Sequence, residues 1–402
     1  MIKIGILTYH RSLNYGAVMQ AMALSSEIRK RFPEVKVEIV DYSSKRMDRY
    51  YKMITIYRGK ESLLHIKKRI QMYLAFKRGM KKLPLSEKRI VSDSCIEVEE
   101  YIQNKYDIII SGSDAVWNYR KRGLPNPYFL TGAGTSYRMS YGASCNGLGI
   151  NRFDDIPVDQ QAYLKKAFYG FDYIGVRDEQ TATLVHKISP DIPTYHNCDP
   201  SLLLEDLSQS NRDELIAKLI RKYKFDPDKP TIGLMMSNLN GGFREELAKR
   251  LKERYGDKYQ TVSIYSYNKY ADIPYIADLT PQEWSLIFGL FKLTISKYFH
   301  GSMFSLLNRT PVIAVSAEEN IGELPDKIED ALDRLELSDM YFTTSDSQSI
   351  DWNTLLNKTD EFLDEKAAKT IKERIDRGIK NEVRSAESFF DNLTKAVIKQ
   401  HN

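Results

Sequence analysis

The chain has 402 residues, which is more than one hydrophobic core usually organises, so two domains are expected. Hydrophobic residues make up 42% of the chain and charged residues 28%, and this balance excludes a disordered or low-complexity protein. The formal net charge of +5 is too small for a chain of this length to indicate nucleic-acid binding.

The cysteines and the apolar runs exclude further classes of protein. Cys95, Cys145 and Cys198 are widely spaced and form no Cys-x-x-Cys pair, which argues against a disulfide framework and a structural zinc site. No His/Asp/Glu cluster has the spacing of metal ligands, so the sequence assigns no metal. Because no apolar run can cross a bilayer and the amino terminus begins as a strand, we expect a cytoplasmic protein.

Short apolar runs alternate with amphipathic helices, and this alternation restarts near the middle of the chain. The runs predict strands at 2–7, 35–40, 107–110, 139–141, 173–176 and 194–195, and then at 231–236, 260–265, 293–296 and 311–315. This pattern is typical of parallel sheets covered on both faces. The sequence therefore predicts an α/β protein with two Rossmann-like domains facing a cleft, at 1–203 and 204–350. A polar helical tail at 351–402 is expected to pack back on the body.

Residues 45–90 interrupt the first domain with a basic helical insertion, in which fifteen Lys and Arg stand against three acidic residues. Leu63, Ile66, Ile70 and Leu74 lie there at helical spacing. A basic amphipathic helix suits an anionic membrane surface, which would place the protein at the inner face of the plasma membrane. The alternative is that the apolar side packs on the domain while the basic side is solvated.

Ligands of open parallel sheets bind beyond the carboxyl ends of the strands, and two such junctions in the first domain are polar. Asn14 and Tyr15 open the helix after the first strand, in a loop that matches neither a Walker loop nor a dinucleotide fingerprint. Ser111 and Asp114 follow the strand at 107–110, where a carboxylate can accept hydrogen bonds from sugar hydroxyls. Helix capping and packing are the alternative roles of these residues.

Two other junctions carry cations and a histidine. Arg177 follows the strand at 173–176, where a buried guanidinium needs a ligand anion or a carboxylate such as Asp178 or Asp199. Lys297 and His300 precede a predicted helix, where a lysine with the helix N–H groups suits a phosphate and a histidine suits proton transfer. Together the junctions predict group transfer from a phosphorylated donor to a hydroxyl.

Seven short motifs in one order resemble the polysaccharide pyruvyl transferase family, and the resemblance runs from residue 3 to about residue 337. They lie at 5–17, 41–42, 111–118, 138–144, 176–178, 198–204 and 299–305. The resemblance implies a fold like that of GT-B glycosyltransferases and transfer of a pyruvyl group from phosphoenolpyruvate to sugar hydroxyls, giving a ketal and phosphate. The implied acceptor is a bacterial surface glycan or its polyprenyl-diphosphate-linked precursor. The donor is a small-molecule substrate, and no cofactor is implied.

The resemblance also implies roles for individual residues. His300 would protonate the methylene carbon of the donor, and Arg177 or Arg138 would hold its phosphate or carboxylate. The full set assigned to substrate binding is Asn14, Tyr15, Ser111, Asp114, Arg138, Lys297, Tyr298 and Ser302.

The sequence departs from the family at two cations. Tyr298 stands where many members carry an arginine, and the loop at 316–321 lacks a lysine that many members have. Lys297, Lys269 and Arg309 are candidates to replace these charges. The departures leave two alternatives open. One is a GT-B-type glycosyltransferase that uses a nucleotide sugar, with Glu318 and Glu319 as candidate ribose ligands, and the other is a binding module without catalysis.

Overall fold

The computed structural model describes residues 1–52, 62–146, 155–204, 209–237, 242–316, 325–343 and 350–401. Its strands, in chain order, are β1 (Lys3–Leu7), β2 (Lys36–Ile39), β3 (Tyr42–Ser43), β4 (Ile90–Val91), β5 (Ile108–Ser111), β6 (Tyr137–Ala143), β7 (Tyr173–Val176), β8 (Tyr195–His196), β9 (Thr231–Met235), β10 (Gln260–Ser263), β11 (Leu293–Ser296), β12 (Val312–Ser316) and β13 (Tyr341–Thr343).

The helices are α1 (Tyr15–Arg31), α2 (Lys45–Lys52), α3 (Ser62–Met80), α4 (Cys95–Ile102), α5 (Tyr119–Arg122), α6 (Val158–Tyr169), α7 (Glu179–Ile188), α8 (Gln209–Tyr223), α9 (Phe243–Tyr255), α10 (Pro281–Ile287), α11 (Phe299–Leu307), α12 (Lys327–Arg334), α13 (Trp352–Leu363), α14 (Glu365–Val383) and α15 (Glu387–His401). The predicted helix at 301–308 therefore begins two residues earlier, which places His300 in its first turn.

The strands form two parallel sheets, one in each half of the chain, and a small third sheet of β3 and β4. The first has the order β2-β1-β5-β6-β7-β8, and the second has the order β10-β9-β11-β12-β13. In β5, Ile108 and Ile110 belong to one hydrophobic core and Ile109 belongs to another. A strand buried on both faces must be apolar throughout, which explains the uninterrupted runs in the sequence. The predicted α/β fold with two Rossmann-like parallel sheets and a helical tail is confirmed.

The tail contacts both halves of the molecule. Trp352 at the start of α13 stacks on Phe243 of the second half, with ring centroids 5.1 Å apart. At the other end of the tail, Phe389 meets the ring of Tyr141 in β6 edge-on at 4.8 Å. Three consecutive helices are long enough to reach from the second half to the first, because each extends about 1.5 Å per residue.

The basic insertion packs on the body through a different face from the predicted one. Phe76 of α3 is buried, with its ring 4.5 Å from that of Tyr15. Gly79, also in α3, contacts Pro281 at the start of α10, so this helix touches both halves. Of the apolar row that the sequence suggested, Ile70 is 37% exposed and Leu74 is 47% exposed. Among the described residues, no helix has both the length and the apolar character needed to cross a membrane.

Candidate active site

A cavity of about 230 Å³ lies between the two halves, at the carboxyl ends of strands from both sheets. The first half contributes residues that follow β1, β5 and β7, and the second half contributes residues that follow β10, β11 and β12. The lining includes Asn14, Tyr15, Gly16, Asp114 and Arg177 from the first half and Trp284, Tyr298, His300 and Lys327 from the second. The structure therefore brings Arg177 and His300 into one cavity.

His300 lies in the first turn of α11 and is wedged against the first turn of α1. A Cβ atom added to Gly16 would lie 2.0 Å from Cγ of His300, so only glycine leaves room for the imidazole there. Burial lowers the pKa of His300 below its usual 6.5, and Arg177 and Lys327 add to this effect, while Asp199 and Asp114 oppose it only in part. The Nε2 atom is buried and has no hydrogen-bond partner among the described residues.

Arg177 is held by a carboxylate behind the cavity. Its Nη1 donates to Oδ2 of Asp199 at 3.1 Å, and its guanidinium carbon lies 4.6 Å from the centre of the Phe299 ring. Burial lowers the pKa of Arg177, but the carboxylates of Asp199, Asp114 and Asp178 together outweigh burial and raise it above the usual value. Of the partners that the sequence left open, the structure selects Asp199. The Nε of Arg177 is buried without a partner in the described part of the chain, so it is free for a ligand.

Asp199 is itself fixed by three neutral donors. Gln20 Nε2 and the Ser201 hydroxyl each donate to it at 2.5 Å, and the Ser201 N–H donates at 3.0 Å. Burial raises the pKa of Asp199, but His300 in its protonated form, the cation of Arg177 and the two donors of Ser201 outweigh burial and hold the pKa below its usual value, so Asp199 stays ionised. The carboxylate thus sets the position of Arg177.

Two aromatic residues, one from each half, form a wall of the cavity. Tyr15 stacks on Trp284 with ring centroids 5.1 Å apart and planes 6° from parallel. Both residues are buried, and within the described ranges neither the Tyr15 hydroxyl nor the Trp284 indole N–H has a hydrogen-bond partner. The sequence carried no signal for Trp284, because a tryptophan in an apolar helix is indistinguishable from a core residue.

Lys327 supplies a second cation that sequence reasoning missed. It is the first residue of α12, whose N-cap is Asp326, and it lines the cavity. In the sequence Lys327 reads as the solvated start of a polar helix. Two of the residues that the sequence offered as substitutes for the family's missing cations do not line the cavity. Arg309 pairs with Asp376 at 2.6 Å, and Nζ of Lys269 lies 5.0 Å from the Tyr270 ring centre. Lys297 is also absent from the lining.

Besides Lys297, three residues predicted to bind substrate lie outside the cavity. Arg138 is near the amino end of β6, whereas the cavity lies at the carboxyl ends of the strands. Its Nη2 donates to the Gly134 carbonyl at 2.8 Å. Ser111 is buried at the end of β5 but does not reach the lining. The Ser302 hydroxyl donates to the Tyr298 carbonyl at 3.3 Å within α11. We therefore remove these three from the candidate site.

Asn14 combines the two roles that the sequence left open, whereas Asp114 lines the cavity without capping a helix, since α5 is capped by Asn118. The Asn14 side chain caps α1 by accepting from the Ala17 N–H at 3.3 Å, and Asn14 also lines the cavity. Asp114 has a positive φ of 73° and accepts from the Ala115 N–H at 2.8 Å through Oδ1. Both residues present polar oxygen at the cavity from the first half.

Two facing Rossmann-like parallel sheets with a cavity between them define a GT-B-like fold. The model of the polysaccharide pyruvyl transferase family matches residues 14–319, which is well over half of the chain. The chain belongs to this family.

Solved structures support the fold independently. The UDP-GlcNAc 2-epimerase of Methanocaldococcus jannaschii is 11% identical with a TM-score of 0.57, covering 98% of this chain and 100% of its own. A glycosyltransferase from Rickettsia africae is 11% identical with a TM-score of 0.55, covering 98% of both chains. At this identity the likeness shows the fold alone. No curated protein matches the chain.

Proposed function

We propose that the protein transfers a pyruvyl group from phosphoenolpyruvate to a sugar, forming a ketal and releasing phosphate. The observation that carries the proposal is the convergence of Arg177, His300 and Lys327 on one cavity, with the Nε atoms of Arg177 and His300 left without partners in the described structure. Membership of the pyruvyl transferase family supports the same reaction class. The acceptor we propose is a bacterial surface glycan or its polyprenyl-diphosphate-linked precursor.

The donor carries a carboxylate and a phosphate, and the second half of the cavity suits both. Arg177 and Lys327 provide the positive charge, and α11 begins there without a side-chain cap, since Tyr298 makes no capping hydrogen bond. Free N–H groups at a helix start attract anions. We assign the Nε of Arg177 to one anionic group of the donor, because Nη1 is already committed to Asp199.

In the proposed reaction, His300 donates a proton to the methylene carbon, which becomes the methyl group of the product. A sugar hydroxyl attacks the cationic carbon that results, phosphate leaves with its bridging oxygen, and a second hydroxyl closes the ketal. The two hydroxyl protons balance the reaction, since one replaces the proton from His300 and the other leaves with phosphate. Asn14 and Asp114 are assigned to orient the hydroxyls.

The test is to incubate the protein with phosphoenolpyruvate and a panel of glycan acceptors, detecting the ketal by mass spectrometry. His300→Gln is expected to keep the fold and lower the rate about 10²–10⁴-fold, because a positioned general acid contributes that much. Absence of both phosphate release and stabilisation by phosphoenolpyruvate, on every acceptor, would contradict the proposal.

Use of a nucleotide sugar is the competing activity, and it has a specific motivation. The Neisseria meningitidis UDP-GlcNAc 2-epimerase, a structural neighbour with a TM-score of 0.52, is described as bound to UDP-GlcNAc. The candidate ribose ligands Glu318 and Glu319 lie outside the described residues. Thermal stabilisation by UDP and not by phosphoenolpyruvate would favour this activity, whereas glycan binding without any turnover would favour a binding module.

We also propose that the protein works in the cytoplasm at the inner membrane face, docked through α3. Lys67, Ile70, Leu74, Lys77 and Arg78 are exposed and share one face of this helix by their spacing. Exposed apolar side chains among cations suit anionic lipid. Lys77→Glu with Arg78→Glu should abolish sedimentation with phosphatidylglycerol vesicles, and the same exchange at exposed Lys369 and Lys372 of α14 should not. Equal binding of both double variants would refute docking through α3.

A further inference from the structure

A second pocket lies beside the cavity, on the carboxyl side of the first sheet. Its lining includes Tyr9, Ser12, Ser43, Arg122 and Tyr128, and its volume is about 30 Å³. The two sites are adjacent along the chain, because one loop supplies residues 9–12 to this pocket and residues 13–16 to the cavity. The two sites therefore share a loop, and consecutive Cα atoms along it are about 3.8 Å apart.

The pocket contains polar groups that the fold does not satisfy. The hydroxyl oxygens of Ser12 and Ser43 are buried and make no hydrogen bond within the described part of the protein. Ser43 as a residue is only 5% exposed. A buried hydroxyl without a partner is unfavourable, and two in one pocket indicate a ligand that supplies oxygen atoms.

The pocket also carries a cation without an acidic partner. Arg122 lies with its guanidinium carbon 3.6 Å from the centre of the Tyr9 ring, and its Nε donates to the Ala115 carbonyl at 3.3 Å. Across the described residues, it pairs with no carboxylate. The other arginine of the pocket is neutralised, since Arg11 donates to Asp41 through Nε at 2.8 Å and Nη2 at 2.6 Å.

The contact with Ala115 links Arg122 directly to the cavity. Ala115 follows Asp114, which lines the cavity, and its carbonyl also accepts from the Tyr9 hydroxyl at 3.2 Å. A planar cation that is held against a ring keeps its outer N–H groups in a fixed direction. Guanidinium and hydroxyl donors together are the groups that bind phosphate oxygens.

We infer that this pocket binds a phosphate group carried by the acceptor, while a hydroxyl of the same sugar enters the cavity. The inference rests on the proposed function and deepens it, because it restricts the acceptor to a phosphorylated sugar. Arg122 acts as a specificity-determining residue that contacts substrate but not the reacting atoms.

The experiment compares two acceptors that differ in the phosphate, a hexose 1-phosphate and the corresponding methyl hexoside. Transfer is measured as ketal formation by mass spectrometry at saturating phosphoenolpyruvate. In the wild type the phosphorylated acceptor should have a KM about tenfold lower, which is the contribution of one charge-assisted hydrogen bond. Arg122→Gln should remove this preference by raising the KM for the hexose 1-phosphate about tenfold, while the KM for phosphoenolpyruvate is unchanged. Lys121→Gln, at an exposed neighbour outside the pocket, should keep the preference.

Ser12→Ala provides a second variant that should not disturb folding, since it removes only an unpartnered hydroxyl. It should raise the KM for the hexose 1-phosphate several-fold. Ser111→Ala is its control, because that hydroxyl is also buried without a partner among the described residues but lines neither site. Equal KM values for the two acceptors in the wild type would overturn the inference.

Binding without donor separates this inference from the proposed function. In calorimetry, hexose 1-phosphate should bind the wild type and lose affinity about tenfold in Arg122→Gln, even if no ketal ever forms. Inorganic phosphate and phosphatidylglycerol vesicles are the comparison ligands. If either binds in an Arg122-dependent way as strongly as the hexose 1-phosphate, the site recognises free phosphate or lipid and the inference fails.

Discussion

At the scale of single residues, the cavity is lined by polar side chains whose donor or acceptor atoms are not used within the part of the protein that the structure describes. Asp199 accepts from Nη1 of Arg177, whereas Nε of Arg177, the Tyr15 hydroxyl, the Trp284 indole N–H and Nε2 of His300 have no partner in the described structure. Buried polar groups without partners are unfavourable for folding, so their presence around one cavity indicates substrate contacts.

Tyr15→Phe tests whether the unpartnered hydroxyl of Tyr15 contacts the substrate. If the hydroxyl serves only packing, its removal should leave activity unchanged. We expect instead that kcat/KM falls about 10- to 100-fold, as expected for a lost hydrogen bond to a charged substrate, with Tm unchanged or higher. Tyr119→Phe is the matched control, since its hydroxyl is also buried and unpartnered in the described ranges but is absent from the cavity. Parallel effects of the two variants would contradict a role for Tyr15 in the site.

The lowered pKa of His300 predicts proton uptake when the donor binds. At pH 7 the free imidazole is neutral, because its pKa lies below 6.5. A bound carboxylate and phosphate would raise that pKa and draw a proton from solvent, so the affinity for phosphoenolpyruvate should increase as the pH falls from 8 towards 6.5. Calorimetry in buffers of different ionisation enthalpy measures this uptake. His300→Gln should retain only the proton uptake that comes from the donor's own phosphate. If the variant takes up as many protons as the wild type, His300 is not the group that is protonated.

At the scale of elements, the active site depends on the contact between the first turns of α1 and α11. Gly16 allows the approach, since any larger residue would overlap the imidazole of His300. The alternation of strands and helices places both helix starts at the carboxyl edges of their sheets, but only their packing across the two halves creates the cavity.

Gly16→Ala should therefore reduce activity more than stability. Alanine favours a helix over glycine by about 1 kcal/mol, while the overlap costs about 1–3 kcal/mol, so the net free energy of unfolding should change by less than about 2 kcal/mol. The displaced imidazole should lower kcat by more than tenfold. Gly5→Ala is the control: its Cβ would lie 2.7 Å from Cγ of Tyr106, and neither residue lines the cavity. That variant should lose stability with kcat unchanged, and a full kcat in Gly16→Ala would contradict the proposed geometry.

At the scale of the whole molecule, the tail ties the two halves together around the cavity. It leaves the second half at α13 and ends on the first sheet, where the Cys198 N–H donates to the Ser385 hydroxyl at 2.8 Å. Cys198 precedes Asp199, the carboxylate that holds Arg177. The tail thereby supports the segment that carries Asp199.

Phe389→Ala should lower the free energy of unfolding by about 3–5 kcal/mol, because this ring is fully buried against Tyr141. Chemical denaturation measures the loss. Ile398→Ala on the same helix is the control, since Ile398 is 57% exposed and should change stability by less than about 0.5 kcal/mol. A loss below about 1 kcal/mol in Phe389→Ala would mean that the tail packs only loosely on the first sheet.

The sequence by itself determined the α/β class, the restart of the pattern in the second half, and the strand ends at which Arg177 and His300 lie. Each of these follows from local periodicity, because burial on both faces requires continuous apolar runs and loops must follow them. Only the tertiary structure decided that Lys327 and Trp284 join the cavity, that Arg138 lies at the opposite edge of its sheet, and that Asp199 holds Arg177. The physical reason is that a side chain's role depends on which distant segments pack against it, and neither periodicity nor motif spacing records contacts between residues far apart in the chain.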